Sequence, residues 1–282
     1  MHRSEKKQSF ETEISKGDRF SFGENWQKFS KHISEMRIQE AEKSLQQMLS
    51  LETLSGKTFL DIGCGSGLFS LAAKRLGATV HSFDYDQNSV NCALVLKEKF
   101  FQNDETWSIE QGSVLDSDYI NSLGQFDIVY SWGVLHHTGE MWNALSLIHP
   151  LARPDGKIFI ALYNDQGRSS VIWAKIKKAY CVSPKPIKTL ILAICILRLW
   201  GPRTIIDTFK GNPLKTWNEY KKDRGMTPVY DAIDWVGGYP FEVAKPEEIF
   251  EFFKSKNFNL EKISTCAGGI GCNEFVFSKK SH

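Results

Sequence analysis

Thr58-Phe59-Leu60-Asp61-Ile62-Gly63-Cys64-Gly65-Ser66-Gly67-Leu68-Phe69 is the stretch that decides the fold. An apolar run ends at an acidic residue, three glycines alternate along a tight turn, and a helical pattern follows over Leu68–Leu76. Glycines at such a turn accept positive φ and present bare backbone, so a ligand can lie against the chain at the carboxyl edge of a sheet. The start of the next helix offers unpaired N–H groups and the positive end of a dipole, which suit an anion such as a carboxylate. A dinucleotide fingerprint needs G-x-G-x-x-G/A. Counted from Gly63, that third position is Leu68, and the glycines instead read G-x-G-x-G.

Further along, Ala78–Phe83 reads as a second strand ending at Asp84-Tyr85-Asp86. An acid at this place, about 20 residues beyond the glycines, can accept both hydroxyls of a ribose. Asp84 takes that role, and Asp86 or Asn88 caps the next helix. Three further segments follow in order: Trp107–Val114, Phe126–His137 and His149–Lys157, the last leading into a strand over Ile158–Tyr163. Strands alternating with helices imply a parallel sheet with ligands at its carboxyl edge.

This ordered set over residues 56–164 resembles the class I S-adenosylmethionine (SAM) methyltransferases. The resemblance implies SAM as cofactor and an α/β, doubly wound, mostly parallel seven-stranded sheet closed by a final antiparallel hairpin strand. It assigns the cofactor turn to Asp61, Gly63, Cys64, Gly65 and Gly67, the ribose to Asp84, and the adenine surroundings to Tyr85, Gly112, Ser113 and Val114. Many such proteins carry Gly-Asp where this chain has Gly112-Ser113, so Ser113 or Asp116 is left to meet the adenine amino group. Ser131 and Trp132 fall at the methyl-donor end. Arg153-Pro154-Asp155-Gly156 resembles the family's Pro-Gly-Gly turn, with Asp155, which tolerates turn conformations, in place of the first glycine.

A formal charge of +2 argues against a dedicated nucleic-acid surface. Six cysteines are scattered without Cys-x-x-Cys pairs, a pattern of reduced thiols and no metal site. The polar Met1–Lys7 has no apolar core behind it, so no secretory signal is read and a cytoplasmic location is expected. The longest apolar run, Leu190–Leu197, falls far short of the ~20 residues needed to cross a bilayer.

The chain divides into an N-terminal helical segment (1–55), the SAM-binding core (56–164), an inserted helical lid (165–240) and a C-terminal completion of the sheet (241–282). Phe20–Trp26 leads into a long helical pattern to about Leu51, with Phe29, Ile33, Met36, Ala41, Leu45 and Met48 spaced for one face. In the insertion, a basic helix over Ser170–Tyr180 and an apolar helix over Ile187–Trp200 are separated by Ser183-Pro184-Lys185-Pro186 and closed by Gly201-Pro202. The apolar helix has three readings: burial, a dimer contact, or peripheral membrane contact through 187–200. Pro246-Glu247-Glu248 opens a helix that stops at a left-handed Asn257, and Phe258–Ser264 and Asn273–Ser278 form the closing hairpin.

Methyl transfer from a sulfonium asks the protein for alignment and exclusion of water, and for a base only where the acceptor must lose a proton. His136 is the candidate base, His137 a pin for the neighbouring backbone, and Asp165 an orienting carboxylate, with turn chemistry as its alternative. Trp26, Tyr163, Asn164, Trp235, Tyr239 and Glu242 are the candidate acceptor contacts, Trp235 to Glu242 being an aromatic, Gly-rich and acidic run that suits a small-molecule pocket. The expected function is methyl transfer to an oxygen or nitrogen of a small or lipid-linked molecule. The competing readings are another nucleotide-dependent enzyme, a non-catalytic scaffold, and a methyltransferase of protein or RNA. The oligomeric state is left open by the sequence.

Overall fold

The computed structural model describes residues 10–23, 26, 33–213, 216 and 228–281. The first helix of the core side, α1 (Glu35–Leu49), ends at Ser50, which takes a left-handed φ of 55°. It begins later than the sequence pattern suggested. Met36 faces solvent, while Ile38 and Leu49 join Ala41, Leu45 and Met48 on the buried face. Phe29 lies outside the described residues.

The strands and helices then alternate: β1 (Thr58–Ile62), α2 (Leu68–Arg75), β2 (Thr79–Asp84), α3 (Gln87–Phe100), β3 (Trp107–Gln111), α4 (Ser117–Ser122), β4 (Phe126–Trp132), α5 (Met141–Ile148) and β5 (Ala152–Tyr163). After the insertion come α9 (Pro246–Ser255), β6 (Phe258–Ser264) and β7 (Cys272–Lys279). All seven strands form one sheet in the order β3-β2-β1-β4-β5-β7-β6. β1 to β5 pair in parallel, and β7 runs antiparallel to both β5 and β6.

Strands buried on both faces carry near-continuous apolar runs. One face sends Leu60, Val129, Ile160 and Phe275 against α5 and α9. The other sends Phe59, Ile128, Tyr130 and Val276 against α1 and α2. Strand β5 starts earlier than the sequence indicated. Ala152 already pairs with Phe126, and the register then jumps to Ile128 opposite Lys157, so residues 153–156 bulge out with Asp155 at φ 60°. Asn257 ends α9 at φ 66°, in the left-handed region.

The insertion builds α6 (Arg168–Val182), α7 (Lys185–Phe209) and α8 (Pro228–Gly237) around a small core of Trp173, Cys195 and Val236. Helix α7 does not stop at Gly201-Pro202. It passes through Pro202 and spans 25 residues, about 37 Å at 1.5 Å per residue. It is thus long and apolar enough to cross a membrane by length and composition, which the eight-residue apolar run alone did not indicate. An interior proline costs a hydrogen bond, and an exposed helix can leave the freed carbonyl to water.

The stacking of Phe253 on Phe277, at a centroid distance of 4.3 Å, joins α9 to the sheet. Phe253→Ala should lower stability by about 3–5 kcal/mol, read from the denaturant midpoint at unchanged m-value.

Candidate active site at the carboxyl edge

The turn after β1 sets the geometry. Gly63 and Gly65 take φ of 76° and 53°. A Cβ on Gly63 would come within 2.4 Å of Val134 in the loop after β4, so only glycine lets these two loops meet. Gly65 N–H donates to Asp84 Oδ2 at 2.9 Å, and Asp86 N–H donates to Asp84 Oδ1 at 2.9 Å. Asp86 caps α3 by accepting from Asn88 N–H. Burial pushes the Asp84 carboxyl up to about 7. Each Asp84 oxygen keeps acceptor capacity beyond its one backbone bond, which is what a pair of ribose hydroxyls requires. Bare glycine backbone beside such a carboxylate is a donor set that fits SAM.

Asp61 is placed differently from the sequence expectation. It is 2% exposed, and its carboxylate accepts from Ser70 in α2, which accepts from Ser82, which accepts from Trp107 Nε1. This buried chain anchors β1, β2 and β3 to α2, so Asp61 supports the turn from behind. Cys64 is buried, and burial with the nearby Asp84 raises its thiol pKa, so it stays an unreactive thiol. Gly112 N–H donates to the Asp84 carbonyl and its Cα faces the Tyr119 ring, too close for a side chain. Ser113 Oγ accepts from Leu115 N–H, Asp116 caps α4, and Val114 is buried in the core. Ser131 Oγ donates to the Ile62 carbonyl, and the half-exposed Trp132 donates to Glu274 at 3.1 Å.

The N-terminal segment closes over this edge. The Trp26 indole lies 3.2 Å from where a Gly65 Cβ would stand. Gly23 N–H donates to Asp86 Oδ2. Tyr85 donates to Glu13, with Phe10 and the Arg19 guanidinium against its ring. Arg19 also donates to the carbonyls of His137 and Thr138, tying the segment to the loop after β4. Arg19 was not singled out in the sequence, because a lone arginine in a polar stretch carries no local signal.

The two histidines separate in role. His137 Nδ1 donates to the Pro240 carbonyl at 2.7 Å. His136 is fully buried, and its Nδ1 accepts from Tyr163 N–H at 3.3 Å. In a neutral ring this puts the proton on Nε2, which has no hydrogen-bond partner. Burial, with the charge of Lys177 adding, lowers the His136 pKa well below the usual range. The neutral His136 thus offers an Nε2–H donor while its Nδ1 lone pair is engaged by the Tyr163 amide, an arrangement that differs from the general base expected there.

Asp165 follows its alternative reading as a turn residue, and two candidate acceptor contacts are engaged elsewhere. Asp165 Oδ1 accepts from Gly167 N–H in the turn before α6 and contacts no histidine. Glu242 accepts from Met141 N–H with both oxygens and so caps α5. Asn164 accepts from Asn273 and pins the β6–β7 loop. Tyr163 and Trp235 do come together, with ring centroids 5.1 Å apart, and the Tyr163 ring lies 3.9 Å from that of His136. Tyr239 is partly exposed beside Lys178.

Burial, with the Lys177 charge adding, lowers the His137 pKa to about 3, against about 6.5 for an unfolded imidazole. Between these values the unfolded chain binds the extra proton, so this contribution to stability is complete above pH 6.5 and lost as pH falls toward 3. His137→Asn keeps an N–H for Pro240 but does not titrate. The stability gap between wild type and variant should narrow between pH 7 and pH 4, and a gap constant with pH would contradict this environment for His137.

A family profile described as a methyltransferase domain matches residues 33–218. The ubiquinone biosynthesis O-methyltransferase of Pseudomonas paraeruginosa (strain DSM 24068 / PA7) is 26% identical over 134 residues, which are 47% of this chain and 55% of that protein. The Bartonella bacilliformis protein of the same name is 30% identical over 120 residues, 43% of this chain and 46% of its own. The chain thus spans about half the length of these curated relatives. Among solved structures, magnesium protoporphyrin IX methyltransferase from Synechocystis PCC 6803, with bound SAH, superposes with a TM-score of 0.51 at 14% identity over 86% of this chain and 83% of that one. PKMT2 from Rickettsia typhi, in complex with AdoHcy, gives 0.55 at 14% identity over 85% and 52%. With the profile covering most of its length and the sheet order on the page, this chain belongs to the methyltransferase domain family and has the class I SAM-dependent methyltransferase fold.

Proposed function

We propose that this protein transfers the methyl group of SAM to an oxygen or nitrogen of a small or lipid-linked acceptor. The observation that carries the reading is Asp84, a half-buried carboxylate fixed by the Gly65 amide at the mouth of a bare glycine turn. SAM supplies a methyl group on a sulfonium. Asp84 holds the ribose, the glycine turn receives the methionine end, and the N-terminal segment around Trp26 and Arg19 excludes water. His136 presents an N–H donor beside the Tyr163 ring. The curated relatives are named as O-methyltransferases, which favours oxygen as the acceptor atom.

Ribose hydroxyls bond best to an ionised carboxylate. Because the Asp84 carboxyl sits at about 7, SAM affinity should weaken as pH falls below 7, by up to about tenfold per pH unit. Calorimetric titration should show this slope in wild type and its loss, at lower affinity, in Asp84→Asn. Equal affinity in the two proteins would reject the cofactor reading.

The insertion supports a lipid-linked acceptor presented at a membrane surface. Helix α7 exposes Ile187, Leu190, Ile194 and Leu197 at three- and four-residue spacing, with Ile205 two turns on, a single apolar stripe. Residues 168–210 hold nine basic side chains and one acid, Asp207, in a chain of net charge +2. An exposed apolar stripe with basic flanks fits the surface of an anionic bilayer. The protein should float with vesicles rich in phosphatidylglycerol and less with phosphatidylcholine alone. Leu190→Asp combined with Leu197→Asp should abolish flotation without altering SAM affinity. Undiminished flotation of that variant, or no flotation of wild type, would count against the surface.

A further inference from the structure

Lys177, on α6, is fully buried with its ammonium among aromatic rings. Nζ lies 4.2 Å from the Trp235 ring centroid, 4.8 Å from Phe241 and 5.7 Å from Tyr163. Its one hydrogen bond among the described residues goes to the Trp235 carbonyl; the Asp234 carboxylate acts on its charge without forming an ion pair with it among the described residues. Burial lowers its pKa to about 7. A buried ammonium held only by one carbonyl and a carboxylate that does not bond to it is costly, and lysines are seldom buried so completely unless paired.

Two more donors meet at the same place without acceptors. His136 Nε2 and Trp235 Nε1 are both buried and have no hydrogen-bond partner among the described residues, although leaving a buried donor unmade is costly. The Tyr163 ring touches both residues, at 3.9 Å from His136 and 5.1 Å from Trp235. Ammonium, imidazole and indole thus border one tyrosine at the end of β5, and among the described residues neither N–H of the two rings has an acceptor. The cluster also adjoins the cofactor turn, because Val134, which meets Gly63, lies two residues before His136.

Resting on the methyl-transfer reading above, we propose that Lys177, Trp235 and His136 form the wall that reads the methyl acceptor, and that the acceptor carries an anionic oxygen group such as a carboxylate. The acidic group takes over from the Trp235 carbonyl as the partner of Lys177 and accepts from the two orphaned N–H groups. Because the three donors are enclosed by α6, α8 and the loop after β4, the acceptor reaches them when the helical insertion opens from the core. An ammonium and two unpartnered ring N–H groups give the wall its selectivity, since a neutral amide or alcohol offers the ammonium no ionised partner.

The test uses benzoate and its neutral isostere benzamide, added to the full-length protein saturated with S-adenosylhomocysteine. Indole N–H resonances are followed, with Trp235 assigned by Trp235→Phe. Benzoate should shift the Trp235 resonance and bind at least about tenfold more tightly than benzamide. In Lys177→Met, which keeps the packing and removes the charge, that preference should fall to about twofold or less. Trp235→Phe, which removes the indole N–H while keeping an aromatic ring in place, should weaken benzoate several-fold and provides an independent reading should Lys177→Met not fold. Equal binding of the two probes, binding of neither, or an undiminished preference in both variants overturns the proposal. Calorimetry with S-adenosylhomocysteine on the same samples reports separately on the cofactor: tight cofactor binding without a benzoate preference removes the acid-reading wall and leaves the methyl-transfer reading standing.

Discussion

The hydrogen bond from the Gly65 amide to Asp84 is the constraint on which the rest of the site depends. It joins the turn after β1 to the end of β2, and the close approach of Gly63 to Val134 adds the loop after β4. Three loops from adjacent parallel strands are thereby held at one edge, where the strand order of the sheet reverses. Asp61 and the serine chain behind it stabilise the turn from the core side, and the open side keeps its acceptor capacity. The cost is a carboxylate in a low-dielectric place, which shows as the raised Asp84 pKa.

Enclosure of this edge comes from segments distant in the chain. Arg19 bonds to the loop carbonyls at 137 and 138, Phe20 N–H bonds to the Tyr239 carbonyl, and His137 bonds to the Pro240 carbonyl. The N-terminal segment, the loop after β4 and the end of the insertion are thus one hydrogen-bonded unit. Such an arrangement suits group transfer from a charged donor, where water must be kept out and alignment held.

The insertion divides its chemistry between its two sides. Toward the core it offers Lys177 and Trp235, and away from the core it presents the apolar stripe of α7 with its basic flanks. A helix of mixed apolar and basic composition is compatible with burial, a dimer contact or a membrane contact, and exposure of the stripe argues against the first. Here 11% of the most apolar window of α7 is buried, so the helix is not serving as an ordinary core helix.

The sequence by itself determined the parallel core, the glycine turn, Asp84 at the end of β2, the left-handed stop at Asn257 and the closing hairpin, because each follows from local periodicity or from backbone demands of neighbouring residues. It could not separate His136 from His137: identical side chains in one loop differ only in what the Tyr163 amide and the Pro240 carbonyl offer them. Nor could it show that Glu242 caps α5 or that α7 continues through Pro202, since their partners lie elsewhere in the chain or depend on solvent exposure. Lys177 shows the difference most sharply. Among the lysines at 175, 177 and 178 it has no distinguishing sequence signal, and only the packing of α6 against α8 and β5 turns one of them inward among aromatic rings, where desolvation changes its charge and its partners.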